Sequence, residues 1–125
     1  MEVNQLSSEN AAYIAGINDG EGTITLTRKH LNENRQLAIS ISNTEIILLD
    51  YILATVGAGK ITNKRKSKSH HKHSFTYAVY NRQALRLLEQ VHQYLRTYKA
   101  RRSELLLKNY IFVSFIIKDK KNIYI

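Results

Sequence analysis

Ala12, Gly16 and Gly20 recur every four residues in a stretch that reads as a helix, and this spacing constrains the chain more than any other feature. Four residues is just over one helical turn, so the three share a face and form a ridge with almost no side chain. A second helix laid on such a ridge can approach with its backbone close. The chain carries this stretch once, so the partner helix has to come from a second copy. In a two-fold pair the two helices cross at the axis, and the residues just beyond their ends meet there. Glu21 stands at that point, between Gly20 and Gly22. Two carboxylates at short range repel unless a cation lies between them, which asks for a hard divalent metal held through oxygen. Mg²⁺ is the expected ion, with Mn²⁺ or Ca²⁺ able to take the same place. Metal shared by two carboxylates at a phosphate makes a hydrolytic site. Taken alone, Gly20-Glu21-Gly22 reads as a helix-ending turn with a solvated acid. The small-residue ridge, the strand that follows and the charge of the whole chain argue for the functional reading.

That charge is +9, from 19 Lys and Arg against 10 acids. Such a surplus favours a polyanionic partner. Nucleic acid is preferred to a membrane surface, because no stretch is basic along one side and apolar along the other for its whole length. The longest apolar run, Tyr110 to Ile117, is too short to span a bilayer and reads as the buried side of a terminal helix. No cysteine is present, so neither disulfides nor thiolate zinc hold the fold and nothing calls for an oxidising compartment. The acidic, polar start from Met1 to Asn10 resembles neither a signal nor a transit peptide. The expectation is an intracellular protein, made within an organelle if it belongs to one. A chain of 125 residues, 43% of them hydrophobic, suits a single domain over 1–125. No small-molecule substrate is indicated.

Periodicity supplies the elements. Ser7 or Ser8 can cap a helix through Ala11, Ala12, Ile14, Ala15 and Ile17 that stops at Asn18 to Gly22. The period then changes to two. Ile24 and Leu26 alternate with Thr23, Thr25, Thr27 and Lys29; beyond a polar turn at Asn32 to Asn34, Leu37, Ile39 and Ile41 alternate with Gln36, Ala38 and Ser40. Ile46 to Val56 has helical spacing and ends at Gly57. A second hairpin runs from Lys60 to Lys66, turns through Ser67 to His73, and returns with Phe75, Tyr77 and Val79 on one face. Asn81 to Tyr94 is helical, with Leu85, Leu88, Val91 and Leu95 on one stripe, and a last helix is expected from Ala100 to about Phe115. The order α-β-β-α-β-β-α-α predicts an α+β fold: a four-stranded antiparallel sheet covered by helices on one face and open on the other.

The nonapeptide Ile14-Ala15-Gly16-Ile17-Asn18-Asp19-Gly20-Glu21-Gly22 resembles the signature of the LAGLIDADG homing endonucleases, single-motif type. The likeness extends to the element order, to Val56-Gly57-Ala58-Gly59 and to the basic stretch Thr97 to Arg102, covering roughly residues 10 to 110. Asn18 stands where the signature has an apolar residue, and Glu21 where Asp is commoner, which keeps the carboxylate. The resemblance implies a homodimeric, metal-dependent endonuclease that cuts double-stranded DNA at a long, near-palindromic site across the minor groove, leaving short 3′ overhangs. It also implies a role in the mobility of an intron or intein. A non-cleaving intron maturase or DNA-binding regulator of the same fold is the alternative, and a basic ribosome-associated protein would fit the charge alone.

Carried over residue by residue, Glu21 becomes the metal ligand, with Gly20 beside it. Lys99 matches the lysine that family members place just before the last helix and direct at the scissile phosphate; its other reading is a solvated helix-start cation. Asn43 resembles the Gln or Asn aimed at a water of the metal site, although Asn43-Thr44 equally suits a cap for the helix that follows. Ala12, Ala15, Gly16 and Asp19 are the expected dimer contacts, with Asp19 also suited to packing or capping near the helix end. For DNA, the face opposite the oily one carries Thr23, Thr25, Thr27, Lys29, Gln36, Ser40, Lys60, Thr62, Lys64, Lys66, Ser74 and Thr76. Hydroxyls, amides and ammonium groups on a two-stranded ribbon match the major groove. Polar strand faces are also what solvent requires, but acids are absent here, and Lys60, Lys64, Arg65, Lys66, Lys68 and Lys72 cluster as phosphate contacts. His70, His71 and His73 have neither a carboxylate nor a second ligand cluster at fixed spacing and read as turn residues rather than a zinc site.

Overall fold

A computed structural model describes residues 2–27, 35–64 and 73–109, the last residue of the middle segment by its backbone alone. The expected Lys29 and Lys66, the turn between the strands of the second hairpin with His70 and His71, and the end of the last helix lie outside the described residues.

Helix α1, Ser8–Glu21, starts where the sequence places it: the extended residue Ser7 accepts the Asn10 N–H at 3.1 Å. Its Ala11, Ile14, Ala15 and Asn18 face inward. Strands β1, Gly22–Thr27, and β2, Gln36–Asn43, follow, then α2, Ile46–Val56. Helix α2 ends on Gly57, whose φ of +80° is left-handed and suits a residue without Cβ. The amino-terminal segment closes that end, with Asn4 N–H on Val56 O at 2.8 Å and Asn4 Nδ2 on Thr55 O at 3.2 Å. Strands β3, Lys60–Lys64, and β4, Ser74–Tyr80, lead into α3, Asn81–Val91, which tightens into a 3₁₀ turn at His92–Tyr94. A last helix, α4, covers 98–109. It starts two residues earlier than expected, so Lys99 belongs to its first turn rather than to the approach.

The sheet order is β1-β2-β4-β3, each neighbour antiparallel, so the two hairpins join through their second strands. Register gives the faces their chemistry. Ile24 pairs with Ile39 and Ile39 with Val79, while Ile41 pairs with Tyr77 and Tyr77 with Ile61. These side chains meet the helices in one core with Leu49, Ile52, Val56, Ala84, Leu87 and Leu88. Tyr77 is fully buried and its hydroxyl donates to Ala58 O at 2.7 Å, which satisfies it; burial pushes its ionisation well above the ordinary range. Leu26 lies on the oily face as expected, by its register opposite the buried Leu37, but is 38% exposed there near the end of the edge strand β1. Among the described residues no helix is long and apolar enough to cross a membrane.

Candidate nucleic-acid interface and carboxylate site

The face away from the helices is polar along consecutive rows. Thr23, Ser40, Ala78 and Lys60 form one row across all four strands, Ser42, Thr76 and Thr62 another, and Thr27 pairs with Gln36. The expected Thr23, Thr25, Thr27, Gln36, Ser40, Lys60, Thr62 and Thr76 therefore share one surface, and Lys64 joins it by its register opposite Ser74. Some hydroxyls bond each other: Thr23 Oγ1 and Ser40 Oγ lie 2.7 Å apart, Ser42 Oγ and Thr76 Oγ1 2.8 Å. Ser42 and the exposed Tyr80 belong to the same face, a place the sequence reading gave to neither. Strict alternation through Ser40-Ile41-Ser42 is the sequence signal that finds Ser42.

At the junction of α1 and β1 sits Glu21, the last residue of the helix, exposed on the molecular surface. Asn43, at the end of β2, donates from Nδ2 to Glu21 Oε2 at 2.5 Å, while its Oδ1 accepts the Glu45 N–H at 2.7 Å. Asn43 does not cap α2, whose N-cap Glu45 has no side-chain partner; its amide instead bridges the Glu21 carboxylate and the Glu45 N–H in the turn before that helix. Gly22 is required for close approach here. A Cβ at that residue would lie 2.4 Å from Asn18 Nδ2 and 2.8 Å from Ser40 O.

Asn18, the polar departure within the signature, is only 2% exposed; its Nδ2 reaches Thr23 O at 3.5 Å, and Oδ1 finds no partner. Asp19 turns away from the ridge. Its carboxylate accepts the Arg96 N–H at 2.7 Å, the Thr97 N–H at 3.2 Å and the Thr97 hydroxyl at 2.6 Å, so it caps the start of α4. Burial pushes the Asp19 carboxyl up, but the Thr97 hydroxyl, the two backbone donors and the Lys99 ammonium outweigh it and hold the group below its ordinary value. Lys99 is 5% exposed, and its ammonium donates to Asn18 O at 2.5 Å and Asp19 O at 3.1 Å. It is therefore neither a solvated cation nor directed outward; it sits on the carbonyl end of α1, where the helix dipole favours a cation. Arg102, missed in the sequence, donates to Ile24 O at 3.1 Å.

Along the outer face of α1 the ridge is open. A Cβ added at Gly16 or Gly20 would touch nothing, and Ala12, Tyr13, Gly16, Ile17, Gly20, Glu21 and Leu48 line a shallow groove of about 490 Å³. Ala15, expected among the dimer contacts, is completely buried in the chain's own core and has no surface to offer a second chain. Beside the groove stands Tyr51, whose ring meets Tyr13 edge-on at 5.9 Å, and Ile47 on the same helix is 76% exposed. The sequence signal for them is that α2 is apolar all round, more than one buried stripe requires.

Fold and site together define an open-faced four-stranded sheet, backed by helices, with a carboxylate at the end of an exposed small-residue helix. No protein-family profile and no curated protein matches the chain. Solved structures do. The homing endonuclease I-CvuI, in complex with its target in the presence of calcium, superposes with a TM-score of 0.67 at 21% identity over 81% of this chain. The archaeal intron-encoded homing endonuclease I-Vdi141I, complexed with DNA, gives 0.60 at 16% over 82% of this chain and 69% of its own. The LAGLIDADG homing endonuclease I-LtrWI, bound to target DNA, gives 0.57 at 17% over 94% of this chain. This chain spans 65% of the I-CvuI chain and 44% of the I-LtrWI chain. The fold is that of the LAGLIDADG homing endonucleases.

Proposed function

We propose that the protein is a homodimeric, divalent-metal-dependent endonuclease that cuts both strands of a long, near-palindromic DNA site. The observation that carries this reading is the placement of Glu21: an exposed carboxylate, oriented by Asn43, at the end of a helix whose outer face is bare at Gly16 and Gly20. A helix from a second copy fits that face, and two-fold symmetry brings a second Glu21 to the first.

The donor set suits a hard cation, since an oxygen carboxylate is offered. Among the described residues there is no group of three His, Cys, Asp or Glu side chains, so a full metal shell needs ligands from outside the one chain. The second copy and a DNA phosphate would complete the shell, with Gly20 beside Glu21 as a further oxygen source. Mg²⁺ is the proposed ion; divalent ions accompany I-CvuI on DNA, Ca with its own target and Mg with a second target whose DNA was not cleaved. Such an ion, when bound, supplies Lewis acidity at the phosphate and favours attack by water.

The chain's own residues do the placing. Asn43 holds Oε2 of Glu21 by one hydrogen bond and leaves Oε1 to a ligand. Lys60 and Lys64 supply phosphate contacts and fix the register of the duplex, with Lys29 and Lys66 proposed alongside them by sequence. Thr25, Thr27, Gln36, Ser40 and Thr62 offer donors and acceptors to base edges in the major groove. An intracellular setting, in an organelle where the gene resides in one, accompanies this function. The test is a nicking assay in Mg²⁺ on a DNA library. Recovery of molecules cut on both strands at one shared site supports the nuclease; specific retention with no cutting in Mg²⁺ or Mn²⁺ assigns the chain to the non-cleaving binders of this fold.

A further inference from the structure

Lys99 and Arg102, one near turn apart on α4, both donate to backbone carbonyls of the α1–β1 junction, on opposite sides of Glu21. Lys99 holds Asn18 O and Asp19 O before it, and Arg102 holds Ile24 O after it. Asp19 returns the contact by capping Arg96 and Thr97 at the start of α4. We infer that α4 is a clamp on the segment 18–24, with Asp19, Lys99 and Arg102 as positioning residues that fix where Glu21 presents its carboxylate.

The chemistry favours position over direct action. An ammonium has three donors, and two are committed to carbonyls inside the protein, with the group 5% exposed. A helix end otherwise frays, because its last carbonyls have no partner within the helix. Glu21 is the last helical residue, and the Gly22 N–H behind it bonds to Asn18 O, the same oxygen that accepts from Lys99. Removing Lys99 therefore unties the last carbonyls of α1 from α4, immediately beside the carboxylate, and leaves that helix end to fray.

The functional half of this inference rests on Glu21 as a metal ligand; the structural half does not, and the two are read separately. Amide hydrogen exchange of the full chain reads the clamp. In Lys99→Met the Gly22 amide should exchange about tenfold faster, as expected for a helix end that frays once its tether is lost, while Tyr77 and Val79 in the sheet stay protected; unchanged Gly22 exchange in a folded variant overturns the clamp. Arg102→Ala, at an exposed residue that the fold should tolerate, should move Thr23 and Ile24 in the same direction, and no change there removes Arg102 from it.

Mn²⁺ binding to the DNA-bound protein, followed by electron paramagnetic resonance, reads its consequence. If Lys99 acted through its charge, Lys99→Met would tighten cation binding by removing a positive neighbour. As a positioning residue its loss should weaken binding about tenfold. Tighter or unchanged binding overturns the positioning role. Wild type and Glu21→Gln binding Mn²⁺ equally would instead overturn the metal assignment of Glu21, leaving the exchange result to decide the clamp.

Discussion

Asn43 concentrates two tasks in one amide, which makes it the side chain whose loss separates binding from chemistry. Asn43→Ala should lower the single-turnover cleavage rate by about 10- to 100-fold, the usual range for an outer-shell partner of a metal ligand, while DNA affinity changes by no more than a few fold. An unchanged rate in a quench-flow measurement would mean that Glu21 needs no orienting partner. Gly22 is a second residue with a sharp expectation. Gly22→Ala drives a Cβ against Asn18 Nδ2 and Ser40 O and should cost about 1–3 kcal/mol in urea unfolding, the range for overpacking. Adding Asn18→Ala should recover part of that, since the amide can be removed and the Ser40 carbonyl cannot.

Elements divide sharply in how far the sequence reveals them. The strand faces are legible because alternation such as Ile24-Thr25-Leu26-Thr27 is local, and α2 is legible because Gly57 marks its end. The start of α4 is not, because the group that caps it, Asp19, lies 78 residues upstream of Thr97. For the same reason the sequence leaves Lys99 between a solvated and a catalytic reading, when its partners are carbonyls 80 and 81 residues away. Ala15 misleads differently: helical spacing puts it near the ridge, but it lies on the flank that packs inward. Long-range capping also governs the amino-terminal segment. Asn4→Ala removes the Nδ2 bond to Thr55 O beside the left-handed Gly57, and should lower stability by about 1 kcal/mol, typical of one lost hydrogen bond, read as a lower denaturation midpoint with an unchanged slope. No shift in the midpoint would make that bond incidental.

For the molecule as a whole, α1 exposes Tyr13 and an open glycine ridge, and Tyr51 of α2 meets Tyr13 edge-on. A substitution that fills the ridge tests what it is for. A Cβ at Gly16 meets nothing within the chain, so Gly16→Leu should leave the monomer folded, with its unfolding temperature at low concentration unchanged, yet make a dimeric protein monomeric in analytical ultracentrifugation. A wild-type monomer that binds one copy per DNA site would contradict the two-fold arrangement. In the proposed dimer, identical subunits would present Gln36 and Thr27 to two half-sites in opposite orientation.

The account stands or falls on Glu21. The most direct test compares wild type with Glu21→Gln on a site recovered by selection, measuring DNA affinity and the cleavage rate of each strand in Mg²⁺ under single-turnover conditions. The account predicts both strands cut by the wild type, neither cut by Glu21→Gln, and affinities within a few fold of each other, because the change removes the metal-binding charge and hardly alters shape. Cleavage by Glu21→Gln near the wild-type rate would contradict it.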